Sequence, residues 1–133
     1  MPTDNIGPYK DKRKSKRLRV NLSLTYRIDK PLSMRMMISN REIRATMLDL
    51  SEGGLSVLTD YNIPPLSVLF IKFTLFKIEE EDVSFYGPME IVGEVLYNIP
   101  LGGNEYRLGI RFKLISKADK AEIINFIKLT NIP

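Results

Sequence analysis

Apolar and polar positions alternate with a period of two along most of the chain. Val20, Leu22, Leu24, Tyr26 and Ile28 interleave with Asn21, Ser23, Thr25 and Arg27. That pattern marks a half-buried strand with one wet face. Ile43, Ala45 and Met47 resume it and lead through Leu48 and Leu50 into the segment Asp49-Leu50-Ser51-Glu52-Gly53-Gly54. Leu55, Val57 and Leu58 begin the next strand, and Pro64-Pro65 breaks it. Leu66 to Ile78 is a long β-prone run, closed by an acidic turn at 79–82. Val83 to Tyr97 predicts another long strand, bent at Gly87-Pro88 or Gly93, where glycine permits a bulge. Asn98 to Asn104, with Pro100 and Gly102-Gly103, reads as a loop, after which Tyr106, Leu108, Ile110, Phe112 and Leu114 alternate again. Residues 29–41 hold Pro31, Asn40 and three methionines (Met34, Met36, Met37), and read as an irregular connection or a weak extra hairpin.

The period then changes. Ser116, with Asp119 three residues on, has the form of an N-cap with a capping-box acid. Ala121, Ile123, Ile124, Phe126 and Ile127 recur at helical spacing, so one amphipathic helix is expected over 116–130. Five or six strands with short connections pair antiparallel, and such a set tends to close into a small barrel or sandwich. The fold class is therefore all-β with one C-terminal helix. Residues 1–9, with Pro2, Gly7 and Pro8, read as a flexible N-terminal tail, and 10–133 as a single domain. Within it, 10–19 form a basic arm, 20–115 the sheet and 116–130 the helix.

Composition narrows the chemistry. The 133 residues suit one core, with 44% hydrophobic and 27% charged residues. Cysteine and histidine are both absent. Thiolate sites, Cys nucleophiles, Ser-His pairs and most zinc chemistry are thereby excluded. Glu79-Glu80-Glu81-Asp82 is the acidic cluster a carboxylate mechanism would use, but four adjacent acids on a hydrophilic turn are usually a solvated loop. No enzyme, cofactor or metal is expected. The first eight residues lack the apolar region of a signal peptide. The longest apolar tract, Ile63 to Phe76, is broken by Pro64, Pro65 and Lys72 and falls short of a membrane span. A cytoplasmic protein without membrane insertion is expected.

The charge is placed unevenly. Residues 10–19 carry seven cations against Asp11, a local net of +6, so the rest of a chain of net +4 sums to −2. A nearly neutral body with one cationic strip implies a localised anionic partner. Within the strip, Arg13 and Arg17 lie four apart. Four residues return to the same face on a helix, and on a strand as well, about 13 Å on. A guanidinium fork matches the O6/N7 edge of guanine or a phosphate, and stacks flat on a purine.

The Asp49–Gly54 segment is the second candidate. Taken alone it is a tight turn, in which Gly supplies positive φ and Asp and Ser bond back to nearby amides. As a binding element it offers more. The Asp49 carboxylate suits the N1–H and N2–H₂ donors of guanine, Ser51 can donate to a phosphate or ring acceptor, and Gly54 would let a base approach the backbone. A fork on one edge of guanine and a carboxylate on the other would accept that base and reject adenine.

R-x-x-x-R, a strand, then D-x-S-x-x-G resembles the signature of PilZ domains, bacterial receptors for cyclic di-GMP. Gly109-Ile110-Arg111-Phe112 is similar to the family's closing strand, and Gly93-Glu94-Val95 to the glycine-valine step before it. The similarity covers roughly residues 10–115. It implies a six-stranded antiparallel β-barrel and no catalysis. It implies a cyclic di-GMP site at Arg13, Arg17, Asp49, Ser51 and Gly54, with Lys12, Lys14 and Gly53 as possible further contacts. The residue before the first arginine, here Lys12, tends in such proteins to influence whether one or two ligands bind. Thirty-two residues separate Arg17 from Asp49, which is long for the family, and the surplus falls at 29–41.

The resemblance also frames the function. The expected protein is a second-messenger receptor whose arm orders over the barrel on ligand binding. It would signal through contacts with an unidentified protein partner, in motility or biofilm regulation. The alternative is a ligand-independent interaction module of pilus or flagellar machinery. A nucleic-acid polymer is not the expected partner, because the remaining chain is net acidic and no aromatic platform accompanies the strip.

Overall fold

The computed structural model describes residues 17–37 and 41–130. The elements in order are β1 (Leu18–Lys30), α1 (Leu32–Met37), β2 (Ile43–Leu50), β3 (Gly54–Thr59), β4 (Val68–Glu79), β5 (Asp82–Gly102), β6 (Glu105–Leu114) and α2 (Lys117–Thr130). The six strands form a closed antiparallel barrel in the order β1-β2-β3-β6-β5-β4. Closure pairs β1 with β4 and leaves no strand without two neighbours.

The alternation seen in the sequence fills the barrel. Leu24, Tyr26 and Ile28 of β1, Met47 and Leu50 of β2, and Leu55 and Val57 of β3 are buried. Leu69 and Ile71 of β4, Ile91 and Val95 of β5, and Leu108 and Ile110 of β6 meet them in one cluster. The Tyr26 hydroxyl, sealed in this core, forms a 2.7 Å hydrogen bond with Thr59 Oγ1. Burial pushes the Tyr26 phenol up to about 12, against the smaller opposing effect of that bond.

α2 begins as its capping residues dictate: the Asp119 amide donates to Ser116 Oγ at 3.0 Å. Its buried face is Ile123, Phe126 and Ile127, at i, i+3 and i+4. Phe126 meets Phe76 of β4 edge-to-face, with ring centroids 5.5 Å apart. Each such buried side chain contributes up to roughly 1.5–3 kcal/mol. Tyr86 adds a hydrogen bond from its hydroxyl to Asp119 Oδ1 at 3.1 Å.

Four details correct the reading from sequence. First, Leu18 and Arg19 belong to β1, so the described part of the basic arm ends at Arg17. Second, the connection at 29–41 carries a short helix, α1, rather than an irregular loop or hairpin. None of its six residues is buried, so no apolar face announced it. Third, β5 runs on through Asn98 to Gly102, where a loop was expected. Beyond Glu94 it pairs only with β6, and a one-sided strand tolerates the missing N–H of Pro100. The reversal is confined to Gly103-Asn104, both at positive φ (62° and 63°), as a two-residue hairpin turn requires. Fourth, the strand expected to begin at Leu66 begins at Val68.

The bends in β5 lie where glycine allowed them. Its register with β4 shifts across Gly87-Pro88, and its register with β6 shifts at Val92/Gly93.

Candidate functional site

The site is built on the outer face of the barrel, across neighbouring strands. In the β1–β2 ladder Leu18 lies opposite Leu50 and Arg19 opposite Asp49. Asp49 in turn lies opposite Ser56 of β3, and Ser56 opposite Gly109 of β6. Gly109 faces Tyr97 of β5. One row of outward positions therefore crosses five strands, from Arg19 to Tyr97. The aromatic ring of Tyr97 covers Gly109 so closely that a Cβ there would sit 2.0 Å from it.

Arg17, immediately before β1, reaches into this row. Its Nη1 donates to Asp49 Oδ1 at 2.7 Å. The two motifs, thirty-two residues apart in sequence, are thus in direct contact. Arg17 thus leads into β1 at the corner that carries the aspartate. Asp49 is largely sheltered, with 11% of its side chain exposed. Its second oxygen, Oδ2, accepts from Arg107 Nη2 of β6 at 3.1 Å. The same nitrogen lies 3.4 Å from Ser56 Oγ.

The turn after Asp49 is held by its own backbone. The Ser51 amide donates to the Gly54 carbonyl at 2.8 Å, and Ser51 Oγ donates to the same oxygen at 3.2 Å. The Phe112 amide donates to the Gly53 carbonyl at 2.9 Å, tying the turn to β6. Two expectations change here. Asp49 is held by arginines, not by nearby amides. And neither Gly53 nor Gly54 has a positive φ. Gly54 is required for another reason: a Cβ there would lie 2.1 Å from the Ile110 carbonyl oxygen. Its missing side chain admits strand β6. Gly53 is exposed, with nothing within 4 Å of a Cβ, and is the glycine at which the backbone is open.

Of the candidate residues, the structure brings Arg17, Asp49, Ser51, Gly53 and Gly54 to one corner. Lys12, Arg13 and Lys14 lie outside the described residues. The sequence reading missed Arg107. Its signal was indirect: Leu108, Ile110 and Phe112 face inward by alternation, which turns Arg107, Gly109 and Arg111 outward. Arg111 is engaged with Glu94 of β5 at 2.5 Å.

The comparisons bear on the whole chain. The model of the PilZ domain matches residues 11–129. The chain belongs to the PilZ domain family. PilZ domain proteins are not enzymes. No curated protein matches the sequence.

Among solved structures, the Bacillus subtilis inhibitor of motility, MotI/DgrA, is similar at a TM-score of 0.68 and 15% identity. That match covers 92% of this chain and 52% of MotI/DgrA. Escherichia coli YcgR in complex with c-di-GMP is similar at 0.59 and 13% identity, covering 90% of this chain and 46% of YcgR. The isolated PilZ domain of YcgR, also with c-di-GMP, gives 0.56 and 15% identity, covering 90% of this chain and 92% of that domain. This chain spans about half the length of MotI/DgrA and of full YcgR. At these identities the likeness is one of fold. Among the described residues, no helix is long and apolar enough to cross a membrane.

Proposed function

We propose that this PilZ chain is a receptor for cyclic di-GMP, bound at the corner where Arg17 meets Asp49. The observation that carries the proposal is the 2.7 Å contact between the two motifs. Arg17, Arg107 and Asp49 together leave one positive charge on a half-sheltered surface, which suits a phosphodiester. An open backbone at Gly53 lies beside it. Asp49 supplies the acceptor for the guanine N1–H and N2–H₂ edge, and the arm residues Arg13 and Arg17 supply forks for its O6/N7 edge and for phosphate. The PilZ domain of YcgR, which has the same fold, is solved with c-di-GMP, and this supports the choice of nucleotide.

In this reading the arm, with Lys12 and Lys14, orders over the barrel when ligand arrives. The changed surface is then read by a protein partner in the cytoplasm, controlling motility or biofilm formation. Calorimetric titration tests it. Cyclic di-GMP binds and cyclic di-AMP binds far more weakly. Arg13→Ala and Arg17→Ala each cost about 1.5–3 kcal/mol, the range for charged hydrogen bonds. Undiminished binding in both variants rules the site out.

One observation favours a second reading, a ligand-independent interaction module: both Asp49 oxygens already accept from arginines. Absence of heat with a pure, folded sample would select it.

A further inference from the structure

Arg17 and Arg107 share one carboxylate but are held very differently. Arg17 precedes the first residue of β1, at the start of the sheet. Arg107 lies within β6, opposite Leu58 of β3 on one side and Ile99 of β5 on the other. Its Nη2 is anchored twice, to Asp49 Oδ2 and to Ser56 Oγ. The Asp49 carboxylate therefore has one oxygen on a cation set within the sheet and one on a cation that precedes its first strand.

We infer that Arg107 is a positioning residue for guanine recognition: it holds the Asp49 carboxylate aimed through Oδ2, so that Arg17 can leave Oδ1 for the ligand. This rests on the cyclic di-GMP reading above. When Arg17 turns its fork to the nucleotide, Oδ1 is freed to accept a guanine N–H. A carboxylate with no second partner would rotate, or would keep Arg17 on both oxygens in a bidentate pair that the ligand must break.

Stability alone does not explain an arginine here. Its Nε is buried and, among the described residues, has no hydrogen-bond partner. An unpaired buried donor costs the fold.

The role has a signature that a phosphate contact or a merely structural contact lacks. Adenine offers a ring acceptor where guanine offers N1–H and has no 2-amino group, so only guanine binding depends on the aim of Asp49. Arg107→Gln is titrated with cyclic di-GMP and with cyclic di-AMP at two salt concentrations, and folding is checked by a thermal melt. Cyclic di-GMP affinity falls about tenfold, the loss expected of one charged hydrogen bond. Cyclic di-AMP affinity falls by much less, only by the share both nucleotides lose with one positive charge near the phosphodiester, so base selectivity narrows. Ser56→Ala, which removes the second anchor, shifts selectivity in the same direction by less.

Equal loss for both nucleotides with a shallower salt slope makes Arg107 a phosphate contact and overturns the inference. Full selectivity in a folded Arg107→Gln also overturns it, while wild-type binding keeps the receptor reading intact. If wild-type protein does not bind cyclic di-GMP, both fall together. Should Arg107→Gln fail to fold, Arg107→Lys decides: a single-point cation keeps the fold and recovers part of the selectivity, and unchanged selectivity there refutes the role.

Discussion

Replacing Gly54 by alanine should unfold the binding corner from the inside. A Cβ at this position would lie 2.1 Å from the Ile110 carbonyl oxygen and 3.2 Å from its carbon. Both atoms are backbone of β6, so no side chain can swing away. Ordinary van der Waals separation demands that β3 and β6 part by about 1 Å. The pairs at risk are Gly54 with Arg111 and Leu55 with Ile110, which start the ladder. Loosening two ladder hydrogen bonds costs about 1 kcal/mol each. The stiffer unfolded chain of alanine returns about 0.4–1 kcal/mol. The net loss is about 1–2 kcal/mol, a fall in Tm of roughly 3–8 °C for a domain of this size. Urea denaturation of Gly54→Ala beside Gly53→Ala checks it, because a Cβ at Gly53 meets nothing within 4 Å. If Gly54→Ala unfolds at the wild-type midpoint, or Gly53→Ala is the less stable of the two, the steric assignment of the motif glycines is refuted.

Further outcomes follow from the same packing. Tyr26 is neutral in the folded protein up to about 12, whereas an unfolded tyrosine ionises near 10. Its contribution is complete below pH 10 and is lost as the pH rises toward 12. Denaturation from pH 9 to 12 should therefore show a progressive loss, on the order of 2–3 kcal/mol at its limit, that Tyr26→Phe lacks. Ser116→Ala removes the oxygen that caps α2 and should cost about 1 kcal/mol, read as a lower urea midpoint with unchanged slope. Phe126→Ala, which empties the contact with Phe76, should cost roughly 3–5 kcal/mol by the same assay.

Much of this architecture is legible in the sequence because period-two alternation carries both strand existence and facing. Leu24, Tyr26 and Ala45 alternate with polar neighbours and all reach the core. The helix change at Ser116 is equally plain, since the cap and the apolar spacing agree. The failures have physical causes. In α1, six residues with no buried face leave no period to detect. At Pro100 and Gly102, breaker residues suggested a loop, but a strand paired on one side can hold both. Arg107 was missed because its partner Asp49 is fifty-eight residues away and two strands across. No local pattern encodes that reach. The packing role of Gly54 was not legible for a related reason: its neighbour is Ile110, on a strand the local sequence does not mention. The motif residues were found, but whether each serves the ligand or the fold depends on the pairing of β3 with β6.

The most direct measurement is the change in amide NMR shifts when cyclic di-GMP is added to labelled protein. The account predicts shifts concentrated at Arg17, Asp49, Ser51, Gly53 and Gly54, with Arg107 following. Shifts confined to α2, or to Lys30–Met37 at the opposite end of β1, or no shifts at all, would contradict it.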